Sequence, residues 1–283
     1  MSTQTTLIEL GDIRATPDLD TYDVILVNSS AGKDSQAMLT HLVERADAED
    51  VPRSRIIVVH ADLGRVEWEG TRELAERQAA AYGLRFETVA RTEDLLDQIV
   101  TRHNTLRAKG DTTTPAWPSS QARYCTSDQK TAQVAKLMTR LADEHRRTHP
   151  ERPIRILNCL GIRAAESPAR AKKTPFGPDT AASNGRRIVD RWLPIFDWSS
   201  GQVWETIRRS GLPHHPAYDA GMPRLSCMFC VLAGRKELVL SARLNPAMAQ
   251  EYLAVERLVG HSFKADLSMA EIVAAASPAP IGA

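Results

Sequence analysis

The sequence predicts an α/β fold: a Rossmann-like, mostly parallel twisted sheet with helices on both faces and a small, mainly helical C-terminal lobe. Two observations predict it. Short apolar runs alternate with segments of helical periodicity, an order typical of parallel sheets covered by helices. The chain of 283 residues is 42% hydrophobic and 25% charged, which is ordinary for a globular protein with a substantial core.

The first elements follow from these runs in order. Strands are predicted at 23–28, 55–62, 85–90 and 154–162. Helices are predicted at 35–46, 70–84, 93–103 and 129–147. The second of these helices is expected to end near Gly83, because glycine favours the left-handed backbone at a helix C-terminus.

The pattern changes after the fourth strand. Residues 171–187 are rich in Pro, Gly, Ser and basic residues, which predicts a surface loop. A helix at 201–211 follows, then a loop at 212–227 and two or three further helices. We place a soft boundary near Ser199. The predicted parts are a core at 20–199, a C-terminal lobe at 200–275 that carries a C-x-x-C pair, and a flexible tail at 276–283.

Charge and hydropathy exclude some classes of function. The formal net charge of +1 gives no general attraction to nucleic acid or to anionic membranes. No apolar run approaches the roughly 20 residues that span a bilayer, and the N-terminus lacks the basic and apolar regions of a secretory signal. We therefore expect a cytoplasmic protein without a membrane partner. In that compartment the four cysteines are metal ligands, reactive thiols or packing residues, not disulfides.

The segment 24–42, VILVNSSAGKDSQAMLTHL, places a glycine-containing turn between a buried strand and a helix. The first N–H groups of such a helix lack partners, and together with the helix dipole they form an anion site. Gly32 lets the backbone approach an anion closely, and Lys33 adds a positive charge. Further hydroxyl donors in the turn belong to Ser29, Ser30 and Ser35. The segment therefore predicts a phosphate site.

Five segments resemble, in order, motifs of the PP-loop (adenine nucleotide alpha-hydrolase-like) superfamily, and of its PAPS reductase branch in particular. The first, SSAGKDS, resembles the SxGxDS loop. The others are HADLG at 60–64, RYCTSDQK at 123–130, LGIRAAESPAR at 160–170 and PIFDWSSGQVWETI at 194–207. Leu63 stands where the HxDTG motif of the family usually has threonine. The resemblance spans residues 24–230.

The resemblance implies an adenine nucleotide, either ATP or PAPS/APS, at the carboxyl ends of the strands, where open α/β sheets bind ligands. The implied binding residues that follow predicted strands are Ser29, Ser30, Ala31, Gly32, Lys33, Asp34, Ser35, His60, Ala61, Asp62, Gly161 and Arg163. Arg163, Arg170 and Lys130 are expected to face phosphate or sulfate oxygens.

The same resemblance implies roles at the reacting phosphates. Asp34 and Asp62 are the expected ligands of a magnesium ion on the nucleotide. Glu166 is expected to pair with a neighbouring arginine. The expected catalytic residues are Lys33, Asp34, Asp62 and Arg163.

Cys227 and Cys230 form a C-x-x-C pair, which alone is compatible with zinc, an iron–sulfur cluster, a redox dithiol or coincidence. Cys125 is the first candidate for a further ligand. In cluster-containing APS reductases a Cys-Cys pair precedes the C-x-x-C pair, and here Thr126 replaces one of those cysteines. The resemblance implies a 4Fe-4S cluster with one open iron, or one closed by Cys159. Cys159 lies in an apolar strand, where cysteine is more often a packing residue.

Two reactions compete. A PAPS or APS reductase attacks sulfur with a thiolate from a C-terminal Glu-Cys-Gly-x-His segment, and this sequence has no cysteine after Cys230. An ATP pyrophosphatase cleaves ATP between its α- and β-phosphates, adenylates a substrate oxygen and releases AMP as sulfur arrives. Lys33, the loop backbone and magnesium would stabilise the leaving pyrophosphate. We therefore expect an ATP pyrophosphatase that prepares a substrate for sulfur incorporation.

Enzymes that thiolate tRNA bases and enzymes that form DNA phosphorothioates resemble this sequence, and DNA phosphorothioation is the preferred case. A cysteine desulfurase is the expected sulfur donor. The candidate nucleic-acid surface comprises Arg146, Arg147, Arg152, Arg155, Lys172, Lys173, Arg186 and Arg187, although a solvated face explains such a run equally well. A third class, a non-catalytic nucleotide-binding subunit, fits the replaced threonine. The sequence leaves the oligomeric state open.

Overall fold

The computed structural model describes residues 16–277. The strands are β1 (Val24–Asn28), β2 (Ile56–Asp62), β3 (Arg85–Ala90), β4 (Ile154–Leu160), β5 (Phe176–Pro178) and β6 (Arg187–Trp192). They form one sheet in the order β3-β2-β1-β4-β6-β5. All neighbouring strands are parallel except β5 and β6, which pair antiparallel. The predicted Rossmann-like, mostly parallel α/β fold is therefore confirmed.

The helices connect and cover these strands. They are α1 (Lys33–Ala48), α2 (Thr71–Ala81), α3 (Leu95–Ala108), α4 (Tyr124–Thr126), α5 (Ala132–Arg146), α6 (Pro168–Ala171), α7 (Ser200–Ser210), α8 (Arg235–Leu244), α9 (Pro246–Val259) and α10 (Met269–Ala276). A π-helical stretch, Ser127–Thr131, joins α4 to α5. Across residues 16–277, no helix combines the length and the apolar character needed to cross a membrane.

The pleat of the strands sends alternate side chains to the two faces of the sheet. In β1, Ile25 and Val27 pack in a core with α1 and α7, whereas Val24 and Leu26 pack in a second core with α5. A strand that is covered on both faces must be apolar throughout, which is why β1 reads as a continuous apolar run. Helices therefore lie on both faces of the sheet, as predicted.

A third core lies beyond the carboxyl edge of the sheet. It joins Leu95 of α3 and Trp117 to Phe229, Tyr252 and Phe263 from the C-terminal part of the chain. Helix α7, which the sequence division assigned to the C-terminal lobe, packs instead in the sheet core with α1. The division near residue 199 therefore does not coincide with a break between hydrophobic cores.

Residues 171–187, predicted as a surface loop, contain the edge strand β5 and lead into β6. Phe176 pairs with Trp192 in this antiparallel ladder. A strand of three residues is too short to show a periodicity, so it could not be predicted from the sequence. Residues 278–283 of the predicted flexible tail lie outside the described residues, as do residues 1–15 of the segment in which no secretory signal is expected.

Candidate functional site

The turn between β1 and α1 carries the serine, glycine and lysine residues of the motif. Ser35 braces this turn from within: its Oγ donates to the Gly32 carbonyl at 2.9 Å and accepts from the Ser30 N–H at 3.1 Å. Ala31 adopts a left-handed φ of 53°, which bends the chain sharply before the helix. Gly32 is the N-cap of α1 and has no side chain with which to cover the helix end. The turn therefore directs the start of a 16-residue helix toward the carboxyl edge of the sheet.

The end of β4 approaches this turn so closely that only glycine fits there. A Cβ atom on Gly161 would lie 3.0 Å from the backbone carbon of Asp34 and 3.0 Å from the backbone nitrogen of Ser35. Backbone atoms cannot rotate aside as a side chain can. Gly161 therefore allows β4 to pack against the start of α1, and it brings the following Arg163 to the same place.

Lys33, Asp34 and Arg163 form a buried charge cluster at the start of α1. Lys33 Nζ donates to Asp34 Oδ2 at 2.8 Å, and Arg163 Nε donates to Asp34 Oδ1 at 2.6 Å. The Lys33 and Arg163 side chains are 8% and 5% exposed. Two cations that share one carboxylate leave one positive charge in excess. It lies where the helix dipole also favours an anion.

His60, at the end of β2, connects this turn to the next. Its Nδ1 lies 3.0 Å from the Ser29 carbonyl oxygen, and its Nε2 lies 2.9 Å from Glu67 Oε2. Burial opposes a charge on the imidazole, but the Glu67 carboxylate and the Ser29 carbonyl outweigh it, so the pKa of His60 is raised above its ordinary value. His60 therefore acts here as a buried link between the two turns.

The two expected magnesium ligands have other contacts in this structure. Asp62 Oδ1 accepts the Gly64 N–H at 2.7 Å, and both oxygens of Asp34 bind cations. Within residues 16–277, no three His, Cys, Asp or Glu side chains are placed to hold one metal ion. Magnesium is usually bound by one or two carboxylates together with substrate phosphates. The assignment of magnesium to Asp34 and Asp62 therefore stays a prediction.

The basic residues expected around the phosphates are held differently. Arg170 binds the carboxylate of Glu166, which also accepts the backbone N–H of Arg163 at 3.1 Å. The predicted pairing of Glu166 with an arginine is confirmed. Lys130 lies in the π-helical stretch, where its positive charge acts to lower the pKa of Cys125. Arg170 therefore flanks the charge cluster, whereas Lys130 lies near the cysteines.

Three of the four cysteines line one small cavity beyond the carboxyl edge of the sheet. Cys125, Cys227 and Cys230 share a cavity of about 30 Å³. Its aliphatic and aromatic walls include Leu95, Ile99, Trp117, Phe229, Tyr252 and Phe263. The Met228 N–H, inside the C-x-x-C pair, donates to the Val66 carbonyl at 3.0 Å, which attaches this segment to the turn after β2. The structure thus brings together the three cysteines that the sequence proposed as ligands.

Burial determines the chemistry of these thiols. It raises the pKa of Cys125, and it raises the pKa of Cys227 to about 12, although Lys130 acts in the opposite direction on both. A thiol is nucleophilic or binds metal as the thiolate. Without a bound metal, Cys125 and Cys227 are therefore protonated at neutral pH and unsuited to nucleophilic attack.

Cys159 does not belong to this group. Its strand β4 lies between β1 and β6, where Cys159 pairs in register with Val27 and Trp192. The side chain is fully buried in the core shared with α1 and α7, and burial raises its pKa far above the ordinary value. The expectation that Cys159 supplies a fourth ligand is therefore wrong, because strand pairing fixes it in a different core.

The basic residues of the candidate nucleic-acid surface have different roles. Arg187 is buried and donates to the Ala135 carbonyl at 3.0 Å and to Thr139 Oγ1 at 2.7 Å. Arg152 binds Asp23 through two hydrogen bonds of 2.7 Å. At least these two arginines serve the fold, so the eight residues do not act as one binding surface.

A model of the phosphoadenosine phosphosulfate (PAPS) reductase domain matches residues 24–233, most of the chain. The chain belongs to the PAPS reductase family. The matched range begins at β1 and ends just after the C-x-x-C pair, so it contains the charge cluster and all three cysteines of the cavity.

Three proteins that are similar to this chain differ in how much of it they match. An uncharacterized 37.8 kDa protein of Escherichia phage 186 is 30% identical over 143 residues, which are 50% of this chain but only 40% of the phage protein. Adenosine 5'-phosphosulfate reductase of Allochromatium vinosum is 28% identical over 75% of this chain and 69% of that enzyme. The PAPS reductase of Candida auris, solved as a phosphate complex, is 15% identical with a TM-score of 0.44, over 74% of this chain and 84% of that one.

The family motifs in this sequence do not include one residue that contacts the start of α1. Tyr218, in the loop before the C-x-x-C pair, accepts the Lys33 N–H at 2.8 Å across 185 residues of sequence. A tyrosine in an irregular loop shows no periodicity and belongs to no motif, so the sequence does not predict its role. Glu67 was also missed, although a carboxylate seven residues after the buried His60 was a usable signal.

Proposed function

We propose that this protein is a PP-loop ATP pyrophosphatase that adenylates a substrate for sulfur incorporation, with the DNA backbone as the preferred sulfur acceptor. One observation carries the proposal: the start of α1 holds an excess positive charge from Lys33 and Arg163 around Asp34. A helix N-terminus with such a charge suits the triphosphate of a nucleotide. Among the candidate adenine nucleotides, ATP is the one whose cleavage releases pyrophosphate, and a positive charge at this position would stabilise the negative charge of that leaving group.

In the proposed reaction a phosphate oxygen of DNA attacks the α-phosphorus of ATP. The bond between that phosphorus and the oxygen bridging to the β-phosphate breaks, and pyrophosphate leaves with the electron pair. Lys33 and the N–H groups of the turn stabilise the charge on pyrophosphate, and Arg163 keeps Asp34 in place. A nucleophile with sulfur at the oxidation level of sulfide then attacks the DNA phosphorus. The bond between that phosphorus and the adenylated oxygen breaks, and AMP leaves with that oxygen and the electron pair, so that sulfur takes the place of the oxygen.

The cysteine cavity supports the sulfur half of this proposal. Three thiols converge on one cavity, and their burial leaves two of them protonated unless a metal binds. A cluster differs from a single ion in that each thiolate binds its own iron, so the three sulfurs need not converge on one point. Cys125, Cys227 and Cys230 would therefore hold a 4Fe-4S cluster. Once bound, it would supply one iron without a cysteine ligand as a place for sulfide.

The second candidate function is reduction of adenylyl sulfate or phosphoadenylyl sulfate. The 28% identity to an adenosine 5'-phosphosulfate reductase over most of both chains favours it. A reductase needs an activated thiolate. Among residues 16–277 this role is poorly matched by Cys125 and Cys227, whose pKa values burial raises, and by Cys159, which is enclosed in the sheet core. We therefore prefer the pyrophosphatase.

A pair of assays separates these functions. Protein purified without oxygen is incubated with magnesium and ATP, and pyrophosphate release is measured with and without DNA or tRNA. In parallel, sulfite release is measured from PAPS and from APS with thioredoxin. We expect pyrophosphate release that DNA stimulates, with a cysteine desulfurase required for sulfur to appear in the DNA. Sulfite release without pyrophosphate release would establish the reductase instead.

A lysine variant separates an enzyme from a non-catalytic subunit. Lys33→Ala is expected to abolish pyrophosphate release, because it removes the buried ammonium at the start of α1. Lys236→Ala, at an exposed position of α8, is the matched control and should retain full activity. A wild-type protein that binds ATP but releases neither pyrophosphate nor sulfite would be a nucleotide-binding subunit.

A further inference from the structure

Tyr252 presents a buried hydroxyl without a partner to the cysteine cavity. Its side chain is 1% exposed, and its oxygen makes no hydrogen bond to any residue from 16 to 277. Tyr252 lines the cavity shared by Cys125, Cys227 and Cys230. Burial raises the pKa of its phenol, and these three thiols lie close enough to raise it further. A buried hydroxyl that forms no hydrogen bond destabilises the folded protein by its full desolvation free energy. We therefore expect a bound ligand to accept a hydrogen bond from it.

Aromatic packing keeps the hydroxyl in this position. The Tyr252 ring stacks on Trp117 with 5.9 Å between centroids, and it packs against Phe229 at 4.9 Å and Phe263 at 6.0 Å. A ring that is fixed on three sides cannot turn to find a partner elsewhere. The indole N–H of Trp117, the other aromatic donor of this wall, already donates to the His261 carbonyl at 2.9 Å. The Tyr252 hydroxyl is therefore a hydrogen-bond donor in the cavity wall that has no acceptor among residues 16–277.

We propose that the Tyr252 hydroxyl donates a hydrogen bond to a sulfur atom of the metal–thiolate group held by Cys125, Cys227 and Cys230. This inference rests on the cluster named in the proposed function and deepens it. Thiolate and sulfide are the electron-rich acceptors that such a cavity would contain, and its remaining walls are largely apolar. Hydrogen bonds to cluster sulfurs raise the reduction potential, so Tyr252 is a positioning and tuning residue.

The test compares three full-length proteins reconstituted with ferrous iron and sulfide in the absence of oxygen. Tyr252→Phe keeps the ring and removes only the hydroxyl. Tyr22→Phe is the matched control, because it removes a buried tyrosine hydroxyl that bonds Asp190 beside the sheet, away from the cysteine core. We expect equal iron and sulfide in all three proteins. Only Tyr252→Phe should show a more negative midpoint potential and displaced thiolate-to-iron absorption bands.

Unchanged potential and spectra in Tyr252→Phe would overturn the inference, since the hydroxyl would then face only water or empty space. If wild type binds no iron, cobalt(II) serves as the probe, and the same displacement is sought in the thiolate-to-cobalt band. Wild type without a thiolate band for either metal also overturns the inference. Pyrophosphate release is assayed on the same samples: a displaced potential with no ATP cleavage would refute the proposed function and leave the role of Tyr252 standing.

Discussion

The hydroxyl of Tyr218 accepts a hydrogen bond from the backbone N–H of Lys33 at 2.8 Å. The same oxygen accepts the Leu225 N–H at 3.3 Å, two residues before Cys227. One side chain therefore joins the first N–H of α1, which a phosphate would use, to the segment that leads into the cysteine cavity. Trp204 packs edge-on against the Tyr218 ring with 5.1 Å between centroids and keeps it in place.

Replacement of Tyr218 by phenylalanine is expected to strengthen nucleotide binding. The hydroxyl competes with phosphate for the Lys33 N–H, and a hydrogen bond of this kind contributes about 1 kcal/mol, or about fivefold in Kd. Calorimetric titration with ATP measures the change. The control is Tyr82→Phe, which removes a hydroxyl that lies 2.9 Å from Thr40 Oγ1 farther along α1. Weaker binding by Tyr218→Phe would mean that the hydroxyl contacts the nucleotide itself.

Replacement of Asp34 by asparagine is expected to destabilise the protein strongly. The change leaves the Lys33 and Arg163 cations buried without their shared carboxylate, which costs about 3 kcal/mol or more of the free energy of unfolding. Urea unfolding measures it. Asp47→Asn is the matched control, because Asp47 pairs with Arg53 on the exposed surface, where such a pair contributes less than about 1 kcal/mol. Equal losses in the two variants would show that the Asp34 cluster is not effectively buried.

The fold was predictable because the buried strands are unbroken apolar runs. The sequence predicted the first strand at 23–28, and the structure has Val24–Asn28, of which four residues are buried. The prediction from sequence misses an element that forms only because another strand pairs with it, and that has no local pattern of its own. Strand β5 has three residues, of which one is glycine and one proline, and it exists only because β6 provides an antiparallel partner. No local property of 176–178 reveals that partner.

The candidate site at the start of α1 was partly predictable for a similar reason. Ser29 and Gly161 each follow a parallel strand, and His60 lies near the carboxyl end of β2, so topology alone brings them to one edge of the sheet. Tyr218 comes from an irregular loop, and Cys159 was misplaced as a ligand because residue type gives no information on the face of a strand. Contacts between distant segments depend on packing that a local pattern does not encode.

Replacement of Gly161 by alanine is expected to disturb the start of α1. The added methyl would lie 3.0 Å from backbone atoms of Asp34 and Ser35, so the turn must move, at a cost of about 1–3 kcal/mol. Nucleotide affinity should fall together with stability, as measured by calorimetry and urea unfolding. Gly185→Ala is the matched control, because no heavy atom lies within 4 Å of its Cβ position. Unchanged ATP affinity in Gly161→Ala would show that the turn at the start of α1 does not take part in nucleotide binding.

The His60–Glu67 pair is expected to make stability depend on pH in a defined direction. Because the folded-state pKa of His60 is raised above 6.5, the charged imidazole stabilises the folded protein. The contribution is complete below pH 6.5 and is lost as the pH rises through the raised pKa. Glu67→Gln removes the carboxylate 2.9 Å from Nε2, so this variant should lack that contribution.

The measurement is the difference in free energy of unfolding between wild type and Glu67→Gln, taken by urea unfolding across about pH 6 to 9. Taking the difference cancels groups that titrate alike in both proteins. The wild type should be the more stable at the acidic end, and its advantage should shrink as the pH rises. Glu205→Gln, which changes an exposed carboxylate on α7, should show no such trend. A constant difference would mean that His60 is neutral throughout and that the 2.9 Å contact is an ordinary hydrogen bond, in which Nε2 carries the proton.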